Sequence, residues 1–107
     1  MIDICKDNDF NVIIPSGDIV SNMSNLFRKK MIDLLNEGNN KLRFDFSKVL
    51  NLDSQTLYVF ALIPENNKEN KELSLEIINI NSDIANLFKY THLDKIYKLI
   101  EVKKKIV

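Results

Sequence analysis

The chain has 107 residues, of which 45% are hydrophobic and 28% are charged, and its 15 acidic side chains balance 15 Lys and Arg. A chain of this size and composition is typical of one globular domain, which we expect to span residues 1–107. The zero net charge argues against nucleic acid or anionic lipid as the main partner, because both select an excess of basic residues.

The first predicted elements are a β-hairpin and a helix. Two alternating apolar segments flank Asp7-Asn8-Asp9, three residues that tolerate left-handed turn geometry, and this predicts the hairpin. After Pro15-Ser16-Gly17, apolar residues recur at helical spacing, so we predict a first helix that Ser21 or Ser24 caps and Gly38 ends. Its predicted inner face comprises Met23, Leu26, Phe27, Met31, Leu34 and Leu35.

The second half of the chain predicts three more strands and two more helices. Alternation at residues 42–46 and again at residues 73–77 predicts two strands, each with one apolar face. Between them a helix should begin near Ser54 and end or kink at Pro64. A third helix should follow Asn81-Ser82-Asp83, and a last strand is expected at residues 98–102. The predicted inner positions are Leu57, Phe60 and Ala61 in the second helix and Ile84, Leu87 and Phe88 in the third.

These elements predict an α/β domain in the order β-β-α-β-α-β-α-β, with a mixed sheet. Because each central strand keeps one polar face, we expect the helices to cover mainly one face of the sheet. The repeated β-α-β crossovers should be right-handed.

The sequence shows no clear pattern for catalysis, for cofactor binding or for export. Cys5 and His92 are single residues at opposite ends of the chain, and no local pattern brings them together as nucleophile and base or as metal ligands. The two glycines, at positions 17 and 38, form no phosphate-binding fingerprint. The longest apolar run, residues 57–63, is far shorter than the roughly 20 residues that cross a bilayer. We therefore expect no enzyme activity, no cofactor, no metal and no membrane span, and a cytoplasmic protein.

Four short motifs occur in an order that resembles a known family. They are Ser16-Gly17-Asp18-Ile19, Leu42-Arg43-Phe44-Asp45-Phe46-Ser47, Asp53-Ser54-Gln55-Thr56-Leu57 and the segment from Leu87 to Tyr97. Together they resemble the STAS domain, the fold of bacterial anti-sigma factor antagonists, over nearly the whole chain. No motif is specific alone, and their order and spacing carry the resemblance.

The third motif resembles the Asp-Ser-Ser-Gly-Leu switch loop of that family, whose second serine is phosphorylated by a partner kinase. This chain has Gln55 at that position, and an amide cannot accept phosphate. Ser54 matches the first hydroxyl residue of the loop, and Thr56 replaces its glycine, so both are candidates for phosphorylation. The alternative is that Ser54 serves only as a helix cap.

The resemblance implies a non-catalytic module that docks on an anti-sigma factor of the serine-kinase type through residues 53–58. The candidate partner-binding residues are Asp18, Asp53, Ser54, Gln55, Thr56 and Tyr58. The apolar residues after the loop pack on the first helix or form a partner surface, which could also serve a homodimer. Alternatives are a STAS subunit or regulator of another assembly, such as a stress-signalling complex or a lipid-transport ATPase, or a small nucleotide-binding protein.

Overall fold

The computed structural model describes residues 2–19 and 21–101, and the helices and strands in this part follow the predicted order β-β-α-β-α-β-α-β. The side chains of residues 21 and 22 are not described. The elements are β1 (Ile2–Asp7), β2 (Phe10–Pro15), α1 (Ser21–Asn36), β3 (Lys41–Asp45), α2 (Ser54–Glu65), β4 (Ser74–Ile80), α3 (Ser82–Tyr90) and β5 (Tyr97–Glu101), with a 3-10 turn at Leu93–Lys95. The last strand thus begins one residue before its predicted start, and its predicted end at Val102 lies outside the described residues.

The five strands form one mixed sheet in the order β1-β2-β3-β4-β5. β1 and β2 pair antiparallel as the predicted hairpin, and each later strand pairs parallel with the one before it. Asn8, in the hairpin turn, has a φ of 55°, a left-handed conformation that Asn tolerates. The order of the strands across the sheet is their order along the chain. Crossovers of one handedness therefore place the three helices on the same face of the sheet.

Aromatic side chains fill the space between the sheet and the helices. Phe60 of α2 is buried at the centre, with ring centroids 5.0 Å from Phe44 of β3, 5.2 Å from Phe27 of α1 and 5.5 Å from Tyr97 of β5. Its contacts with Phe44 and Tyr97 are close to edge-to-face, the arrangement that aromatic quadrupoles favour. This cluster fixes α2 on the sheet and therefore fixes the position of the segment that precedes it.

The opposite face of the sheet is polar, as the alternation predicts. Arg43 of β3 and Glu76 of β4 are register partners there and form an ion pair. The Arg43 guanidinium also lies 4.3 Å from the ring centroid of Phe10 and 2.9 Å from the Asp7 carboxylate.

The first helix ends in the way that its sequence predicts. Gly38 has a φ of 89° and donates its N–H to Leu35, while Asn39 donates to Leu34. These bonds form a Schellman motif, which needs a left-handed residue at the glycine position. At the other end, Ser24 lies inside the helix and is buried, so it is not the cap of α1. The alternative prediction, a cap by Ser21, concerns a side chain that lies outside the described ones.

Two residues predicted on inner helix faces are exposed instead. Leu26 of α1 is 50% exposed and Leu87 of α3 is 38% exposed, while the adjacent Phe27 and the nearby Ala85 are buried. An apolar stripe on a helix is broad, and both leucines lie at its margin rather than its centre.

The inner face of α2 also differs from the prediction. Phe60 points inward as expected, but its buried apolar companions are Val59 and Ile63 rather than Leu57 and Ala61, which are half-buried. Seven consecutive apolar residues carry no polar position that marks the outer face, so the rotation of α2 is set by the aromatic cluster and not by the local pattern.

Candidate functional site

The segment between β3 and α2, residues 46–53, lies at the carboxyl end of a parallel strand, where α/β folds commonly place their sites. We call it the β3–α2 loop. Phe46 and Val49 are buried and anchor it to the core, whereas Leu50 between these anchors and α2 is 68% exposed. Leu50 is thus an exposed apolar side chain on a loop that Phe46 and Val49 hold against the core.

Asp18 holds the middle of the β3–α2 loop. One oxygen of its carboxylate accepts the backbone N–H groups of Leu50 at 2.7 Å and of Asn51 at 3.0 Å. These hydrogen bonds favour the ionised carboxylate and lower the pKa of Asp18 below its ordinary value of 3.8. Next to Asp18, Ile19 forms a parallel bridge with Leu52. Asp18 therefore acts on the shape of the loop.

Asn81 holds the same loop from the other side. Its side-chain amide donates to the carbonyl oxygens of Val49 at 3.3 Å and Leu50 at 3.2 Å, while its side-chain oxygen accepts the N–H of Ile84 and caps α3. The sequence predicts Asn81 only as the start of a helix. Its bond to the loop spans more than 30 positions of the chain, and no local pattern signals such a contact.

The start of α2 differs from the prediction in which residue caps it. Asp53 is the N-cap, since its carboxylate accepts the N–H of Thr56 at 2.9 Å. Ser54 is the first residue inside the helix, so the interpretation of Ser54 as the cap is wrong. Asp53 is one residue earlier in the chain and carries a charge that the helix N-terminus attracts, which explains the preference.

The two candidate hydroxyl groups lie in different surroundings. Ser54 is exposed. Thr56 is fully buried, and its hydroxyl donates to the carbonyl oxygen of Ile19 at 3.0 Å. This bond ties α2 to the segment before α1, next to the Asp18 carboxylate, and it keeps the Thr56 hydroxyl away from solvent.

The outer side of α2 at its first turns consists of Ser54, Gln55 and Tyr58, and we call it the exposed α2 face. Tyr58 is 64% exposed. Of the other apolar residues that could have formed a surface here, Val59 is buried and Leu62 is half-buried. The aromatic ring of Tyr58 is therefore the apolar group that stands out from this part of the helix.

Two grooves flank the exposed α2 face. A groove of about 500 Å³ lies on the side of α1, and another of about 270 Å³ lies on the side of α3. Ser54 and Tyr58 line both. The first is also lined by Ser24, Asn25, Arg28, Gln55, Val59 and Leu62, and the second by Leu57, Ala61, Thr91 and Leu93. One groove is thus polar with a cation, and the other is mainly apolar.

The remaining candidates for chemistry lie apart from this site. Cys5 is exposed on β1, and His92 is exposed after α3 with a left-handed φ of 61°. Within residues 2–19 and 21–101, no group of three His, Cys, Asp or Glu side chains is placed to hold a metal ion. None of the helices in this part is long and apolar enough to cross a bilayer.

Comparison with known families connects this geometry to a known fold. The STAS domain model matches residues 1–106. The chain belongs to the STAS domain family. The predicted resemblance to this family is confirmed. The motif Asp53-Ser54-Gln55-Thr56-Leu57 lies at the end of the β3–α2 loop and at the start of α2.

Solved structures share the same fold. A candidate anti-sigma factor antagonist from Thermotoga maritima has a TM-score of 0.83 at 24% identity, covering 94% of this chain and 86% of that chain. An anti-sigma factor antagonist from Mycobacterium paratuberculosis has a TM-score of 0.81 at 20% identity, covering 95% and 86%. The Bacillus cell fate determinant SpoIIAA in its phosphorylated form has a TM-score of 0.72 at 12% identity, covering 92% and 90%.

Proposed function

We propose that this STAS domain is a non-catalytic protein-binding module that acts as an anti-sigma factor antagonist. Its partner in this proposal is an anti-sigma factor of the serine-kinase type, and it docks through the β3–α2 loop and the exposed α2 face. The module would thereby regulate transcription through the sigma factor that its partner releases.

The observation that carries the proposal is a rigid loop next to exposed side chains. Asp18 and Asn81 hold the backbone of the loop from two sides, and Asp53 fixes the start of α2. A segment that is already ordered loses little conformational freedom when a partner binds, so more of the contact energy appears as affinity. Tyr58 beside it belongs to the residue types that most often anchor a protein interface.

We assign the regulatory phosphorylation to Ser54. Its hydroxyl is exposed, whereas that of Thr56 is buried in a hydrogen bond to Ile19, so a kinase would have to open the helix to reach Thr56. A phosphate on Ser54 adds roughly 1.5 to 2 negative charges at neutral pH to the proposed docking face, so a partner surface that fits the unmodified face would no longer fit it. The existence of SpoIIAA in phosphorylated and unphosphorylated forms on the same fold supports such a switch.

Titration of the purified chain with each serine-kinase anti-sigma factor encoded in its source genome tests the proposal. We expect one of them to bind, and the Tyr58→Ala variant to weaken that binding at least about tenfold. Tyr90→Ala is the matched control, because Tyr90 is an aromatic residue of α3 that is 85% exposed and lines neither groove beside α2. Absence of binding by every candidate, or equal loss in both variants, would contradict the proposal.

A second candidate function is that of a subunit or regulator of another assembly, such as a stress-signalling complex or a lipid-transport ATPase. The same fold forms part of a much larger chain in the murine Slc26a9 anion transporter, with a TM-score of 0.63 at 14% identity, covering 85% of this chain and 15% of that chain. Purification of the tagged chain from its native cell distinguishes the two functions by whether an anti-sigma factor or a transporter permease is recovered. Nucleotide binding at the start of α2 is less favoured, because the Asp53 carboxylate already occupies that helix terminus.

A further inference from the structure

Arg28 of α1 lies across the polar groove from Ser54. Both residues line the groove of about 500 Å³ between α1 and α2, and Arg28 is the charged side chain among the described residues that line it. Arg28 is exposed, and none of the ion pairs within residues 2–19 and 21–101 involves it. The sequence alone gives Arg28 no distinct role, because it is the first of three consecutive basic residues, Arg28-Lys29-Lys30.

The Asp53 carboxylate already occupies part of the terminus of α2, where a phosphate on Ser54 would otherwise be stabilised. Asp53 already caps the helix and accepts the N–H of Thr56. A second negative group on the adjacent residue would be repelled by the Asp53 carboxylate and attracted by a cation in the groove. On the side of the groove, that cation is Arg28.

We propose that Arg28 binds the phosphate of phosphorylated Ser54 across the α1–α2 groove and closes this groove to a protein partner. This inference rests on the proposed function, since it concerns the regulation of the same face. In the modification, the Ser54 oxygen forms a bond to the γ-phosphorus of ATP, the bond from that phosphorus to ADP breaks, and the hydroxyl proton is lost to the kinase or to water. The planar guanidinium of Arg28 then donates two N–H groups to the phosphate oxygens.

This pairing would change the surface that a partner meets in the α1–α2 groove. Before modification, Arg28 and Gln55 present polar donors to a partner in the groove. After modification, the Arg28–phosphate pair would span the groove, so a partner would lose both the cation and the space beside Tyr58. The phosphate thus excludes a partner by occupying a groove as well as by repulsion.

The test uses the full chain with phosphoserine incorporated at position 54 during translation, followed by phosphorus NMR across a pH titration. A neighbouring cation favours the doubly charged phosphate, so Arg28→Gln should raise the phosphate pKa by about half a unit, the size expected for an exposed ion pair. Lys29→Gln is the matched control, because Lys29 neighbours Arg28 on α1 but does not line the groove with Ser54. Arg28→Lys should retain part of the effect.

An unchanged phosphate pKa in Arg28→Gln would overturn the inference. Equal rises in Arg28→Gln and Lys29→Gln would overturn it as well, since they would indicate a general field of α1 and not a specific pair. The measurement needs neither kinase nor partner, so its failure is distinguishable from failure of the proposed function, which the titration with anti-sigma factors tests separately.

Discussion

The hydroxyl of Tyr97 donates a hydrogen bond of 2.7 Å to the carbonyl oxygen of Phe60, inside the core of the domain. In a regular α-helix this carbonyl would accept the N–H of the residue four positions later, but that residue is Pro64, which has no N–H. Tyr97 of the last strand therefore supplies the donor that the proline of α2 removes. Burial raises the pKa of Tyr97 well above its ordinary value of 10.0, so its hydroxyl keeps its proton.

Replacing Tyr97 by Phe should lower the free energy of unfolding by about 1 to 3 kcal/mol, because a buried carbonyl loses this donor. The loss of unfolding free energy caused by Tyr97→Phe should be smaller in a Pro64→Ala background. There, the alanine restores a backbone N–H that can donate to the carbonyl oxygen of Phe60. A double-mutant cycle measured by urea denaturation checks this coupling, with Tyr58→Phe as the exposed control that should have little effect. Equal costs of Tyr97→Phe in both backgrounds would mean that the two donors do not substitute for each other.

Substitution of Asp18 by Ala should loosen the β3–α2 loop while leaving the core intact. The carboxylate holds the amides of Leu50 and Asn51, so hydrogen exchange at these two amides should accelerate by about tenfold or more. Asp33→Ala, which replaces an exposed acidic residue of α1, is the control and should leave both amides unaffected. Unchanged exchange in Asp18→Ala would mean that Asn81 and the buried anchors alone order the loop.

The lowered pKa of Asp18 predicts that the free energy of unfolding depends on pH. Hydrogen bonds from Asn51 and Leu50 lower the pKa of Asp18 in the folded chain, so the folded state binds fewer protons there than the unfolded state. The contribution of Asp18 to the free energy of unfolding is therefore fully present well above its ordinary pKa of 3.8. It is lost as the pH falls through the lower pKa that Asp18 has in the folded chain. Urea denaturation between pH 7 and pH 3 should show the difference between the parent chain and Asp18→Ala narrowing below about pH 4. A difference that stays constant over this range would contradict the assignment.

Asp45 should add to the same acid sensitivity. Burial of Asp45 acts to raise its pKa, but hydrogen bonds from the side chain of Asn79 and from Ser47 outweigh this effect and lower it. Asp45→Asn should therefore reduce the loss of stability on acidification, as measured by the same denaturation series. Because Asp18 and Asp45 share no hydrogen-bond partner among the described residues, the two substitutions should act nearly additively on the slope of stability with pH.

The elements that the sequence predicts well are those with a local physical cause. Alternation of Leu42 and Phe44 with charged residues indicated both the strand and its buried face, and Gly38 indicated the helix end that its left-handed backbone forms. Asn8 likewise marked the turn of the hairpin. In each case the information lies within a few neighbouring residues.

The features that the sequence did not predict depend on contacts between distant segments. The aromatic cluster sets the rotation of α2, so Val59 is buried where the apolar run alone suggested Leu57. Asn81 reaches the β3–α2 loop, and Arg28 shares a groove with Ser54, only because the sheet brings these segments together. The motif indicated where on the chain to look for a site, but tertiary packing decides which of its side chains are exposed.

Removal of the Thr56 hydroxyl should affect mainly the stability of the fold, whereas removal of the Ser54 hydroxyl should affect mainly phosphorylation. Thr56→Val keeps the shape of the side chain but leaves the carbonyl of Ile19 without its buried donor, so we expect a loss of about 1 to 2 kcal/mol in the free energy of unfolding. Ser54→Ala should change stability by about 0.5 kcal/mol or less, because Ser54 is exposed and Asp53 supplies the cap. For phosphorylation the order reverses: Ser54→Ala should abolish incorporation of phosphate by the partner kinase, and mass spectrometry of the peptide of residues 49–63 checks this. Phosphate found on Thr56 in the folded parent chain would show that the start of α2 opens to the kinase.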